Sequence, residues 1–129
     1  MKLLLDSCIF LWMIDDYKKI PFSIRKQISS PFNEIYLSSI SVAEITIKAK
    51  IGKLKIPKPF AEFIIKCRNQ HGVLNLPFKE EDIIILEKLP SIHGDPFDRM
   101  LIAQAIANEM AIISADKKIK DYPVSIVWS

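Results

Sequence analysis

Short apolar runs alternate with longer stretches in which apolar residues recur every three or four positions. This rhythm repeats along the chain and predicts strands alternating with helices. The run at residues 2–5 (Lys-Leu-Leu-Leu) reads as a buried strand, followed by an apolar-rich helix over 7–14. Residues 21–30 form a second helix, with Ile24 and Ile28 one turn apart. A strand over 35–37 leads through Ser38-Ser39-Ile40-Ser41 into a helix reaching Ile51 and stopped by Gly52. Pro57 and Pro59 precede a helix over 60–70, which ends before Gly72. A strand over 73–76, an amphipathic helix over 80–89 closed by Pro90, and a strongly patterned helix over 96–110 follow. Strands over 111–114 and 124–128 complete the series. The expected fold is α/β: a central parallel sheet of about five short strands between helical layers.

Composition narrows the class. With 129 residues the chain is expected to form a single domain, 1–129, and 50% hydrophobic content with few Pro and Gly excludes disorder. No apolar run reaches the length of a bilayer span, so no membrane role is expected. The start resembles a secretion signal, but Asp6 interrupts its apolar stretch and no small-residue cleavage site follows. Cys8 and Cys67 have no metal-ligand spacing and make no disulfide framework, so a reducing cytoplasm is the expected setting. Net charge is only +3, but residues 47–58 carry five lysines and no acid. Those lysines suit a solvated face beyond a helix C-terminus, or the rim of a phosphate-binding site.

Four acids occupy similar settings far apart in sequence. Asp6 ends the first strand, Asp116 closely follows the strand at 111–114, and Glu44 and Asp98 each open a helix. Singly, each has a structural role. Ser41-Val42-Ala43-Glu44 reads as a capping box, and Asp95-Pro96-Phe97-Asp98 as an N-cap with Pro at N1. Asp6 can cap the first helix and Asp116 the turn holding Lys117 and Lys118. Jointly they mean more, because strand ends and helix starts of a doubly wound sheet meet at one edge, where strand order reverses. Four carboxylates gathered there repel each other unless a cation sits among them. Mg²⁺, or Mn²⁺, suits such oxygen ligands, and could activate a water and stabilise the leaving oxygen of a phosphodiester. His71 at a helix end and His93 in the loop before Asp95 read as structural residues, although His93 could touch a substrate.

Competing motifs are missing. The three glycines, Gly52, Gly72 and Gly94, form neither a P-loop nor a dinucleotide turn. A haloacid-dehalogenase phosphatase would have a second Asp where Cys8 stands, and the Leu3-Leu4-Leu5 run lacks the acids of an aspartyl-phosphate receiver. The remaining pattern resembles the PIN domains, and among them the VapC toxin ribonucleases of type II toxin–antitoxin modules. The residues that carry the resemblance are Leu4-Leu5-Asp6-Ser7, Ser41-Val42-Ala43-Glu44-Ile45, Lys50-Ile51-Gly52-Lys53-Leu54, Asp95-Pro96-Phe97-Asp98-Arg99 through Ala105, Ile113-Ser114-Ala115-Asp116 and Val127-Trp128. The run around Asp98 is its specific part.

The resemblance implies a Mg²⁺-dependent endoribonuclease with Asp6, Glu44, Asp98 and Asp116 as catalytic, metal-holding acids. It implies accessory roles for Ser7 and Asp95, a VapB-like antitoxin partner and a homodimer. It offers Lys48, Lys50 and Lys53 as contacts for RNA or antitoxin. Phe10, Leu11, Trp12 and Ile14 could line an antitoxin groove or pack in the core. Alternatives from other classes are a catalytically silent PIN domain that binds RNA or protein, and a metal-dependent DNA nuclease or phosphatase.

Overall fold

The computed structural model describes residues 1–92 and 94–128, so the role read for His93 lies outside the described residues. Five strands, β1 (Lys2–Leu5), β2 (Glu34–Ser38), β3 (Leu74–Leu76), β4 (Ala111–Ile113) and β5 (Ile126–Val127), form one parallel sheet in the order β3-β2-β1-β4-β5. The helices are α1 (Ser7–Asp15), α2 (Phe22–Ser29), α3 (Ser39–Lys50), α4 (Phe60–Gln70), α5 (Glu80–Lys88) and α6 (Pro96–Ala107). This is the three-layer α/β/α arrangement expected.

Strand alternation explains the two cores. Leu3 and Leu5 face a cluster with Ile9 and Phe10 of α1, Ile24 of α2, Ile45 of α3 and Ile64 of α4. Leu4 points the other way, onto Leu101, Ile102 and Ala105 of α6. All three β1 leucines are 0% exposed, and burying each contributes about 1.5–3 kcal/mol. From β1 the chain moves outward to β2 and β3, then returns to β4 on the far side of β1. Right-handed crossovers require a change of face when the direction reverses, which is why α5 and α6 cover the side opposite α1–α4. The reversal puts the sheet's switch point between β1 and β4.

Several boundaries differ from expectation. Helix α6 stops at Ala107 because Glu109 turns into the left-handed region at φ 54°, letting the Met110 N–H return to the Ala105 carbonyl. Strand β4 ends at Ile113, one residue early, and β5 is only Ile126–Val127. Helix α3 begins before Ser41, with consequences for Glu44 described below. Gly52 and Gly72, at φ 82° and 68°, end α3 and α4 where a side chain would be strained. Among the described residues no helix is long and apolar enough to cross a membrane.

Candidate metal centre

The site is built at the switch point. Pairing carries β1 and β4 side by side, and one further bond, from the Asp6 N–H to the Ile113 carbonyl at 3.0 Å, fixes the backbone where they part. Asp6 stands at the N-cap position of α1, where the Cys8 backbone N–H lies toward its carboxylate without closing a cap hydrogen bond, which corrects the capping role. Its Oδ2 instead accepts a hydrogen bond from Ser114 Oγ at 2.8 Å. Burial pushes the Asp6 carboxyl above the usual carboxylate range of 3.8, and the charges of Glu44 and Asp116 push the same way. Ser114 and the Cys8 backbone N–H oppose that rise.

Glu44 reaches the site by a different route from the one expected. The N-cap of α3 is Ser38, whose hydroxyl accepts from the Ile40 N–H at 3.0 Å. The capping box at Ser41 is therefore absent: Ser41 is fully buried inside the helix and its hydroxyl has no partner among the described residues. Glu44 moves to the second turn, is 5% exposed, and faces the cleft floor. Ser7 Oγ donates to its Oε1 at 2.7 Å, and Lys48 Nζ, one turn on, donates to its Oε2 at 2.8 Å. The bond to Glu44 holds the Lys48 ammonium above its usual range, and the charges of Asp95 and Asp98 add to it.

The capping expectations hold at the other two acids. Asp95 Oδ1 accepts from the N–H groups of Phe97 at 2.9 Å and Asp98 at 3.3 Å, with Pro96 at the first helical position. Asp98 in the first turn of α6 lines the cleft. Asp116 Oδ1 caps the 3-10 turn Lys117–Asp121 by accepting from the Lys118 N–H at 2.9 Å. Its own N–H donates to Ser114 Oγ at 3.0 Å, so one hydroxyl bridges Asp6 and Asp116.

All four expected acids, together with Asp95, Ser7, Cys8 and Lys48, line a single cleft of about 470 Å³. Lys50 and Lys53 are exposed and lie outside that lining. Ser114 is the participant not singled out from sequence; its signal was a hydroxyl at the end of an apolar strand, two residues before Asp116.

The donors are hard oxygens, suited to Mg²⁺ or Mn²⁺. Among the described residues no three of these side chains close on one point to enclose an ion by themselves. The rise at Asp6 comes first from burial, and the charges of Glu44 and Asp116 add to it.

The PIN domain family model matches residues 3–124. The chain belongs to the PIN domain family. Solved structures share this PIN fold. A chain of VapBC2 from Rickettsia felis, bound to a DNA fragment from their promoter, superposes with a TM-score of 0.78 at 18% identity, covering 100% of both chains. VapBC-1 from nontypeable Haemophilus influenzae gives 0.67 at 18% identity over 98% of this chain and 97% of that one. FitAcB from Neisseria gonorrhoeae gives 0.61 at 16% identity over 96% and 95%. No curated protein sequence matches this PIN domain.

Proposed function

We propose that this PIN domain is a metal-dependent endoribonuclease, the toxin of a VapBC-like toxin–antitoxin pair. The observation that carries the reading is the convergence of Asp6, Glu44, Asp98 and Asp116 in one cleft at the sheet's switch point. A divalent cation held there by these acids, directly or through water, would supply charge neutralisation at the scissile phosphate and a more acidic water as nucleophile. The protein's own groups prepare the place. Ser7 and Ser114 fix the orientations of Glu44 and Asp6 through short hydrogen bonds. Asp95 holds the start of α6 and so places Asp98. Lys48 offsets part of the negative charge and faces the approach of a phosphate.

An antitoxin partner is part of the proposal. Leu11 and Ile14 line a small apolar groove of about 170 Å³ with Ile56 and Phe63, open to a peptide side chain. Phe10, 0% exposed, belongs to the core instead, while Trp12 is partly buried against it. Complexes of the VapBC and FitAcB kind among the structural neighbours support this partner class. A homodimer is proposed with it.

The test is cleavage of single-stranded RNA by purified protein with Mg²⁺ or Mn²⁺, beside the Asp98→Asn variant. Expected are cleavage by wild type, its loss in the variant, and its loss with excess EDTA. Equal cleavage by both proteins would overturn the reading. A panel with single-stranded DNA and a phosphomonoester separates it from a DNA nuclease or phosphatase. Failure to bind Mn²⁺ at millimolar concentration would instead indicate a silent binding module.

A further inference from the structure

A second depression of about 400 Å³ adjoins the acidic cleft and shares Ala115 and Asp116 with it, so a ligand at Asp116 can extend from one into the other. The chemistry changes across that boundary. The second depression presents Lys117 and Lys120 from the 3-10 turn and Trp128 from beyond β5. Both lysines are exposed, and among the described residues no ion pair ties either to a carboxylate. They are displayed from a fixed backbone: Ile119 between them is buried, and Asp116 caps the turn. Trp128 is half-buried and leans on Trp12, with ring centres 6.3 Å apart and planes at 47°.

We propose that this depression is the subsite for the single-stranded RNA next to the scissile phosphate, with an unpaired base stacked on Trp128 and backbone phosphates at Lys117 and Lys120. The inference rests on the ribonuclease reading and extends it to the path of the strand. Base stacking on an aromatic ring beside lysines is the general way proteins hold single strands without reading sequence. A duplex keeps its base faces inside its own stack, so only an unpaired strand can use Trp128. A protein partner fits less well, because lysines are depleted at protein interfaces.

Binding can be followed by intrinsic fluorescence, since Trp12 and Trp128 are the chain's two tryptophans. A short single-stranded RNA is titrated with Ca²⁺ in place of Mg²⁺, and cleavage kinetics are measured separately with Mg²⁺. Wild type should show saturable quenching, kept in Trp12→Leu and lost in Trp128→Leu. The double variant Lys117→Gln/Lys120→Gln, changed only at exposed positions, should weaken binding by about fivefold or more and lower the log–log salt slope by about 1.4, at roughly 0.7 per phosphate. Its KM should rise by the same factor with kcat within about twofold of wild type, as for a lost binding contact. Unchanged affinity and salt slope in the double variant would overturn the proposal, as would equal binding of duplex. Normal RNA binding with loss of antitoxin association would also overturn it, marking a protein-docking face. Cleavage by wild type with unchanged KM in the double variant refutes the subsite alone. Absence of cleavage with lysine-dependent quenching refutes the ribonuclease reading and leaves the depression as a single-strand binding face without a scissile phosphate beside it.

Discussion

Ser7→Ala tests whether the hydroxyl beneath the cleft maintains the position of Glu44. The Ser7 Oγ to Glu44 Oε1 bond is 2.7 Å and buried, and its acceptor is a carboxylate. Hydrogen bonds to charged groups are worth about 1.5–3 kcal/mol, against about 1 for neutral pairs. Removing the donor leaves a carboxylate with a 7%-exposed side chain holding only Lys48, so water cannot easily replace it. The expected cost in the metal-free protein is about 1.5–3 kcal/mol, or a Tm lower by roughly 5–12 °C for a chain of this size. Lys48→Met is the control. It breaks an ion pair of similar length, but the lysine is 46% exposed and approaches from the solvent side, so water can enter where it stood and hydrate Oε2, leaving a cost near the roughly 0.3–0.5 kcal/mol of an i,i+4 pair. Ser7→Ala should therefore cost at least about three times as much as Lys48→Met, the reverse of what formal charge suggests. The assay is thermal and urea unfolding in EDTA at pH 7, repeated in a Glu44→Gln background, where the Ser7→Ala cost should fall by about half. Mn²⁺ affinity should drop about 10–100-fold in Ser7→Ala, as when an outer partner of a ligand is lost. A Ser7→Ala cost within about 0.5 kcal/mol of zero, or one that ignores the Glu44→Gln change, would refute the positioning role.

Other consequences follow from the same geometry. Because the folded-state pKa of Asp6 is raised above 3.8, the native protein holds a proton the unfolded chain has lost, and stability falls as pH rises through that window. Asp6→Asn should therefore raise the metal-free Tm at pH 7, with the gain vanishing below pH 3.8; a lower Tm at pH 7 would contradict the cost assigned to burial and to Glu44 and Asp116. Asp95→Ala removes an N-cap with two acceptor bonds and should cost about 0.5–2 kcal/mol by urea unfolding. Asp98→Asn should reduce RNA cleavage by more than the roughly 100-fold upper range for an outer partner, so an Asp95→Ala enzyme more impaired than Asp98→Asn would reverse the roles proposed for them. Mn²⁺ at 100 times its Kd should stabilise wild type by about 2.7 kcal/mol in differential scanning calorimetry, reversibly with EDTA, and Asp6→Asn should remove most of that shift.

The sheet was legible because β1 and β4 are buried on both faces, and Leu3-Leu4-Leu5 and Ala111-Ile112-Ile113 admit no other use in a chain this short. The caps at Asp95 and Asp116 were legible because each depends on one short side chain and the two or three residues after it. The start of α3 was not. Ser38, Ser39 and Ser41 all offer a capping hydroxyl, and local sequence cannot rank them. Tertiary pairing decides: Ser38 is held in register with Leu76 as the last residue of β2, so the helix begins directly after it. That shift of three residues turns Glu44 from a local capping partner into a buried group bonded to Ser7, 37 residues away. The Ser114 bridge was hidden for the same reason, since its 2.8 Å partner lies 108 residues distant. The lysine stretch divides on folding into Lys48 in the cleft, Lys50 on another face of the same helix, and Lys53 in the turn beyond its end.

The acids gather for reasons of backbone before reasons of chemistry. Asp6, Asp95 and Asp116 each occupy the residue just before a helical turn, and a parallel sheet collects those residues at its carboxyl edge. Two of the three have their carboxylates engaged by local N–H groups, which orient them without supplying a full positive charge. Hydroxyls from Ser7 and Ser114 do the same for Glu44 and Asp6. The cleft is lined by five carboxylates, four of them held by hydrogen bonds, and among the described residues Lys48 is the ammonium that lines it. Ionisation of Asp6 is opposed first by burial and then by the charges of Glu44 and Asp116. A second positive charge relieves both costs at once, and a divalent ion relieves them more than any further lysine could, because it carries twice the charge and keeps its own waters. The proposed cation would answer both costs, and Mn²⁺ binding should weaken with each acid removed even where no RNA is present.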